Sequence, residues 1–206
     1  MGAGNRQGGR IRVSDRQRTI LEAAVRTIAR SGVRGLRVEE VAAEAGVSTS
    51  LLYYHFKDRA GLVRRTLEFV NDRVGDATDP AAAADQSPRG ILEYQLLMEL
   101  QDSPAVREVS TAWGEMRAAA VFEPDLQPTL AHTTKVWAEE IAGVIKASQL
   151  TGQARRDADP QAAAERLTSL VEGLSERWLS GSLTRDRAVF LLRGAIDVEL
   201  GPQPAP

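Results

Sequence analysis

Along the body of this sequence Ser87-Pro88, Ser103-Pro104 and Asp159-Pro160 each set a helix-capping residue directly before a proline. The side-chain oxygen of such a residue accepts from a free N–H of the first helical turn. Proline at the first helical position has no N–H to leave unpaired, and its φ already suits a helix. Each pair therefore marks a helix start. Nothing competes with this signal: aromatic residues make up only 5% of the chain, and β-branched residues nowhere run in alternation. Alanine, leucine, arginine and glutamate dominate, and all four favour helix. The expected fold is all-α, with about nine helices and no sheet.

The first helix opens at Ser14-Asp15-Arg16-Gln17, where Ser14 and Gln17 can satisfy each other's N–H groups. Ile20, Leu21, Ala24, Val25 and Ile28 form its apolar face, and Gly32 ends it. Val38, Val41, Ala42 and Ala45 line one side of a short second helix, which closes at Gly46, a residue suited to the left-handed conformation. Ser48 caps a third helix beginning at Thr49, and a fourth runs from about Asp58 to Gly75 with Leu62, Val63, Leu67 and Val70 inward. Further on, two prolines between Glu123 and Pro128 break the pattern. A long helix then runs from Thr129 to about Gln149, and Thr184 caps the last helix.

Bulk properties narrow the function. No apolar stretch approaches the roughly twenty residues of a membrane span. Met1 to Val13 is rich in glycine and arginine without an apolar core, which does not read as a secretory signal. There is no cysteine, so neither disulfides nor thiol chemistry are available, and the chain reads as cytoplasmic. The net charge of −2 hides an asymmetry. Residues 1–60 carry eleven Lys/Arg against six Asp/Glu, whereas residues 61–206 carry fifteen against twenty-two. A basic end on an acidic body fits a nucleic-acid-facing unit, although scattered solvated charge would give the same count.

Residues 38–56 hold the densest information. Two short helices joined by Ala45-Gly46-Val47-Ser48 have helix-turn-helix geometry. At about 100° per residue, Leu52 and Phe56 of the second helix point inward while Ser50, Leu51 and Tyr54 point outward, flanked by Thr49, Tyr53 and His55. An outward leucine and tyrosine beside small hydroxyl residues suit a major groove, where apolar atoms meet thymine methyls and hydroxyls reach base edges or phosphates. Tyr53 is expected to be partly buried with its hydroxyl free. His55 and His132 are the only histidines, and there is no cysteine beside them, which speaks against a zinc site. No metal or other cofactor is expected.

The run from Leu36-Arg37-Val38-Glu39-Glu40 to Leu51-Leu52-Tyr53-Tyr54-His55-Phe56-Lys57-Asp58-Arg59 resembles the DNA-binding signature of the TetR family of transcriptional regulators, and the helix before it matches as well. The likeness covers residues 16–70. It implies that Thr49, Ser50 and Leu51 face bases, and that Tyr53, Tyr54, His55 and Lys57 reach phosphates or the groove wall, with Arg37, Ser48 and Arg59 in the same interface. The family usually has Thr or Ser where this chain has Arg37; arginine cannot cap the second helix but can pair with a phosphate. Arg6, Arg10 and Arg12 form either an arm into a neighbouring groove or a solvated tail.

The resemblance divides the chain into a basic arm over 1–13, a DNA-binding domain over 14–60, an effector-binding and dimerisation domain over 61–200 and a tail over 201–206. It implies a homodimer on double-stranded operator DNA, controlled by a small-molecule effector. Candidates for the effector pocket are Tyr94, Met98, Trp113, Met116, His132 and Trp137, foremost the two tryptophans; each is also an ordinary core residue by type. The last two helices carry Leu167, Leu170, Val171, Leu174 and Trp178, then Val189, Leu192 and Ile196. In this family such helices pair with their symmetry mates, so these residues are the expected dimer seam. Asp159 to Leu167, Gly173-Leu174 and Gly181-Ser182-Leu183-Thr184 also resemble the C-terminal region of the BetI-like subgroup. Two other functions stand beside a ligand-released repressor: an activator or partner-controlled DNA-binding protein, and a small helical enzyme. The enzyme has no nucleophile–base pairing, metal spacing or phosphate loop to rest on.

Overall fold

A computed structural model of the chain describes residues 14–76 and 87–202. Arg6, Arg10 and Arg12, residues 77–86 and residues 203–206 lie outside the described residues. Within them all regular structure is helical: α1 (Asp15–Gly35), α2 (Val38–Glu44), α3 (Thr49–Phe56), α4 (Arg59–Asp76), α5 (Pro88–Met98), α6 (Pro104–Ala120), α7 (Gln127–Leu150), α8 (Pro160–Leu179) and α9 (Arg185–Leu200). A 3₁₀ turn, Pro124–Leu126, leads into α7.

The capping signals act as expected. Ser14 and Gln17 form the reciprocal pair that opens α1. Ser87, Ser103 and Asp159 each accept from first-turn amides ahead of a helical proline, and Thr184 caps α9. The prolines before α7 start structure instead of breaking it. Pro124 opens the 3₁₀ turn and Pro128 sits in the first turn of α7, so that helix begins earlier than Thr129. Gly32 interrupts α1 with φ 72° and ψ 168°, after which a last turn runs to Gly35. A Cβ at this position would lie 2.6 Å from Oε2 of Glu115, so the carboxylate of α6 packs directly against the break.

Two cores organise the chain. The first joins α1, α2, α3 and α4 through Ile20, Leu21, Val41, Leu52, Leu62 and Leu67, and extends into α6 through Ala112, Met116 and Ala119. The second joins α5, α7, α8 and α9. Helix α6 makes its broadest contact with α1 and also packs on α8, linking the two halves. In the second half the Arg89 side chain is almost completely buried. It donates to Asp197 (2.6 Å), Glu93 (3.2 Å) and the carbonyls of Gly201 and Gln153, tying the end of α9 to the start of α5.

Six of the eight expected dimer-seam residues are covered within the protomer. Leu167, Val171, Leu174, Trp178, Leu192 and Ile196 are interior to the protomer, and Leu170 and Val189 are half-buried against the same core. An apolar stripe at helical spacing shows that a face is covered but not by what. On α9 the exposed apolar residues are Phe190 (64%) and Val198 (75%), on one face with Gly194.

Candidate nucleic-acid interface and internal cavity

Helix α2 is held to α1 at its C-terminal end. Glu44 receives Arg26 Nε at 2.5 Å and Arg30 Nη2 at 3.1 Å. Burial pushes the Glu44 carboxyl up, but the two guanidinium groups outweigh it and hold the carboxyl below its ordinary range. These two arginines are thereby engaged inside the unit. At the other end Arg37 makes no side-chain cap, as expected, and its largely exposed guanidinium lies 3.9 Å from Glu40.

The turn between α2 and α3 needs Gly46 at φ 64°. Val47 N then donates to Ala42 O at 2.9 Å, and Ser48 Oγ accepts from Leu51 N at 3.2 Å to start α3. Leu52 and Phe56 anchor α3 in the first core. On the other side Ser50 is exposed, Leu51, Thr49 and His55 are half-buried, and Tyr54 is 80% exposed, edge-on to the His55 ring at 5.2 Å. Tyr53 is 43% exposed. Hydroxyls, an imidazole and apolar surface thus share one outward face on a rigid helix, a surface that can meet both base edges and phosphates.

Lys57 follows α3 with φ 67° and ψ −58°, and Asp58 N donates to Phe56 O at 2.8 Å. This is a γ-turn, which a side-chain-bearing residue occupies at a cost of about 1–3 kcal/mol. The turn projects the exposed Lys57 from the end of α3. Asp58 Oδ1 then accepts from Gly61 N at 2.6 Å and begins α4. No local pattern in the sequence marks Gly61. A Cβ there would stand 2.2 Å from the Phe56 carbonyl oxygen, so α3 and α4 meet this closely only across a glycine. Arg59, expected in the DNA interface, turns inward. It is partly buried and donates to the carbonyls of Leu36 (3.2 Å) and Val33, the latter also accepting from Leu36 N at 3.2 Å. Its guanidinium fastens α4 to the end of α1.

An open cavity lies among α6, α7 and α8, with Glu99 at the end of α5. Trp113 and Trp137 line it. The other expected pocket residues do not: Met116 faces the first core, His132 is exposed on α7, the Met98 sulfur accepts from Gln101, and Tyr94 is half-buried on α5. In their place the walls carry Glu99, Glu172, Glu176 and Arg117. Arg117 donates to Glu172 and its guanidinium carbon lies 5.5 Å from the Trp113 ring centroid. Burial, and then the charge of Glu172, push the Glu99 carboxyl up to about 7.

That shift has a measurable consequence. The folded chain holds the Glu99 proton more tightly than the unfolded chain, so this group lowers stability as pH rises from about 4.5 to 7. Glu99→Gln removes the slope and raises stability at pH 8 by up to about 3 kcal/mol. Melting curves at pH 5 and pH 8 check it: a variant with the wild-type difference between the two would contradict the assignment.

Residues 20–66 match the family model described as bacterial regulatory proteins, tetR family, and residues 92–201 match that of the BetI-type transcriptional repressor C-terminal region. The regulator BetI of Burkholderia mallei (strain NCTC 10229) is 26% identical over 194 residues, covering 91% of this chain and 95% of the relative. A crystal structure of a putative TetR-family regulator from Rhodococcus sp. superposes with a TM-score of 0.84 at 48% identity, covering 90% of this chain and 98% of the other. A Saccharomonospora viridis regulator, solved in complex with choline, superposes with a TM-score of 0.77 at 25% identity, covering 89% and 96%. The two matched segments bracket the helix-turn-helix and the whole cavity-bearing half, and the chain belongs to the TetR family of DNA-binding transcriptional regulators, with a C-terminal half of the BetI repressor type.

Proposed function

We propose that the chain acts in the cytoplasm as a homodimeric repressor that places α3 of each protomer in a major groove of a palindromic operator and releases it when a small molecule fills the cavity. One observation carries the coupling: α6 belongs to both sites. Ser110, Trp113, Gly114 and Arg117 line the cavity, while Ala112, Met116 and Ala119 of the same helix are part of the core that holds α1 and, through it, α2 and α3. A ligand that shifts α6 shifts the reading heads, provided it binds the shifted state more tightly. Leu67 and Val70 of α4 sit in that core as well. The dimer face is the exposed strip of Phe190, Gly194 and Val198 on α9. An activator or partner-controlled regulator would use the same α3 surface; a reporter transcribed from the operator separates these readings by the sign of the response.

Lys57 supplies the first test of the DNA-facing surface. Lys57→Ala and Lys57→Gly both weaken binding to every duplex. Two lost phosphate contacts per dimer make the slope of log K against log salt shallower by about 2. Lys57→Gly also relieves the strained γ-turn and raises the melting temperature above that of Lys57→Ala. Titrations at several salt concentrations with an unchanged slope would remove Lys57 from the phosphate contacts.

A further inference from the structure

We propose that the cavity binds an organic dication that donates N–H hydrogen bonds, a protonated linear diamine or polyamine, in preference to a neutral molecule or a quaternary ammonium ion. This rests on the reading of the cavity as the effector site. Three carboxylates, Glu99, Glu172 and Glu176, meet one cation, Arg117. Arg117 is already engaged by Glu172 and by the face of Trp113. Glu99 and Glu176 therefore face the cavity with no cationic partner among the described residues. Glu99 also caps the C-terminal end of α5, where the helix dipole adds negative potential. With every carboxylate ionised the wall carries two uncompensated negative charges, which one dication neutralises.

The hydroxyls decide what kind of cation fits. Ser110 Oγ and Ser175 Oγ are buried at the cavity wall without a hydrogen-bond partner, and Ser175 is 92% buried as a residue (8% exposed). Buried polar atoms left unpaired are costly, and an entering N–H donor satisfies them. A trimethylated nitrogen has no N–H and leaves the hydroxyls and both carboxylates without hydrogen bonds. Aromatic cages for such ions surround the nitrogen with ring faces; here there are two tryptophans, one already beside a guanidinium. The ring of Trp137 can instead lie along the methylene chain of a diamine.

Proton linkage gives an independent signature. The charged groups facing Glu99 across the cavity are Glu172 and Glu176 on α8 and Arg117 on α6; α7 contributes Thr133, Thr134 and Trp137, none of them charged. With Glu99 titrating near 7, a diamine that stays protonated to about pH 10 binds more tightly at pH 8 than at pH 6.

Calorimetry on the full-length dimer tests the proposal with 1,4-diaminobutane, spermidine, choline, the bis(trimethylammonium) analogue of diaminobutane and 1,4-butanediol. The expected result is that an amine binds at least tenfold more tightly than choline, the bis-quaternary analogue or the diol. Glu99→Gln and the exposed Glu176→Gln each weaken amine binding at least tenfold, with Glu99→Gln also removing the pH dependence. Choline or the bis-quaternary ion binding as tightly as the amines overturns the proposal, as does amine binding unchanged in both folded variants or no amine binding at all. Operator release distinguishes failure of the underlying reading. A neutral compound that quenches Trp113 and Trp137 fluorescence and frees operator overturns the cation class and leaves the effector site intact. Amine bound through Glu99 with operator still held supports the ligand class and overturns the effector role.

Discussion

Ile196→Arg is expected to unfold the protomer, whereas Phe190→Arg is expected to leave a folded protomer that no longer dimerises. Both residues lie on α9, six positions apart and on different faces. Ile196 is 1% exposed in the core of α5, α7, α8 and α9. An arginine there buries a charge with no partner, at a cost of several kcal/mol on top of the lost packing. That approaches the whole stability of a domain, about 5–15 kcal/mol. Phe190 is 64% exposed, and its ring already lies 4.9 Å from the Arg187 guanidinium carbon, so an arginine there is solvated in the protomer. In a two-fold interface it would meet its own symmetry mate and Arg187, a repulsion counted twice. DNA affinity should fall at least a hundredfold with loss of the second reading head. Circular dichroism and sedimentation at micromolar concentration check the pair. A folded Ile196→Arg, or a Phe190→Arg that remains dimeric, would contradict the placement of the face.

Gly61→Ala is expected to destabilise the DNA-binding unit and cost operator affinity more than tenfold, although alanine is the better helix former. In an exposed helix interior the exchange stabilises by about 1 kcal/mol. Here the new Cβ stands 2.2 Å from the backbone oxygen of Phe56, which no side-chain rotation relieves. Helix α4 must retreat from α3, straining the Asp58–Gly61 hydrogen bond and the γ-turn that projects Lys57. Overpacking of this kind costs about 3 kcal/mol or more, equivalent to roughly 6–12 °C in the melting temperature of a chain this size. Calorimetric melting with operator titration measures both effects. Wild-type values of the two would show that the α3–α4 junction tolerates displacement.

The α2–turn–α3 unit was legible in the sequence because each of its signals is local. Gly46, Ser48 and the inward Leu52 and Phe56 are fixed by backbone conformation, a three-residue cap and helical period. The same applies to the Ser-Pro and Asp-Pro starts. What could not be read depends on which element comes to lie beside which. Leu174 and Ile196 carry the pattern of a covered face, but only tertiary packing shows that α5 and α7 of the same protomer cover it. Met116 resembles a pocket residue by type and faces the other core because α6 serves both. Glu99, Glu172 and Arg117 come from three helices and converge only in the fold. Arg59 beside Lys57 reads as part of the DNA-facing surface until the carbonyls of Val33 and Leu36 at the end of α1 are seen to take it.

Selection of duplexes from a random pool with the full-length protein tests most directly whether paired α3 helices read a palindrome. Thr49, Ser50 and Leu51 sit at the start of α3 behind the Ser48 cap, and Ser50 and Leu51 face outward with Tyr54. The expected enrichment is an inverted repeat whose half-site centres lie about one helical turn, or about 34 Å, apart. Under the same selection Leu51→Ala should change the preferred bases at one position per half-site, at about 1–3 kcal/mol each, and leave the spacing intact. No enriched repeat, or the same motif from the Leu51→Ala protein, would contradict the account.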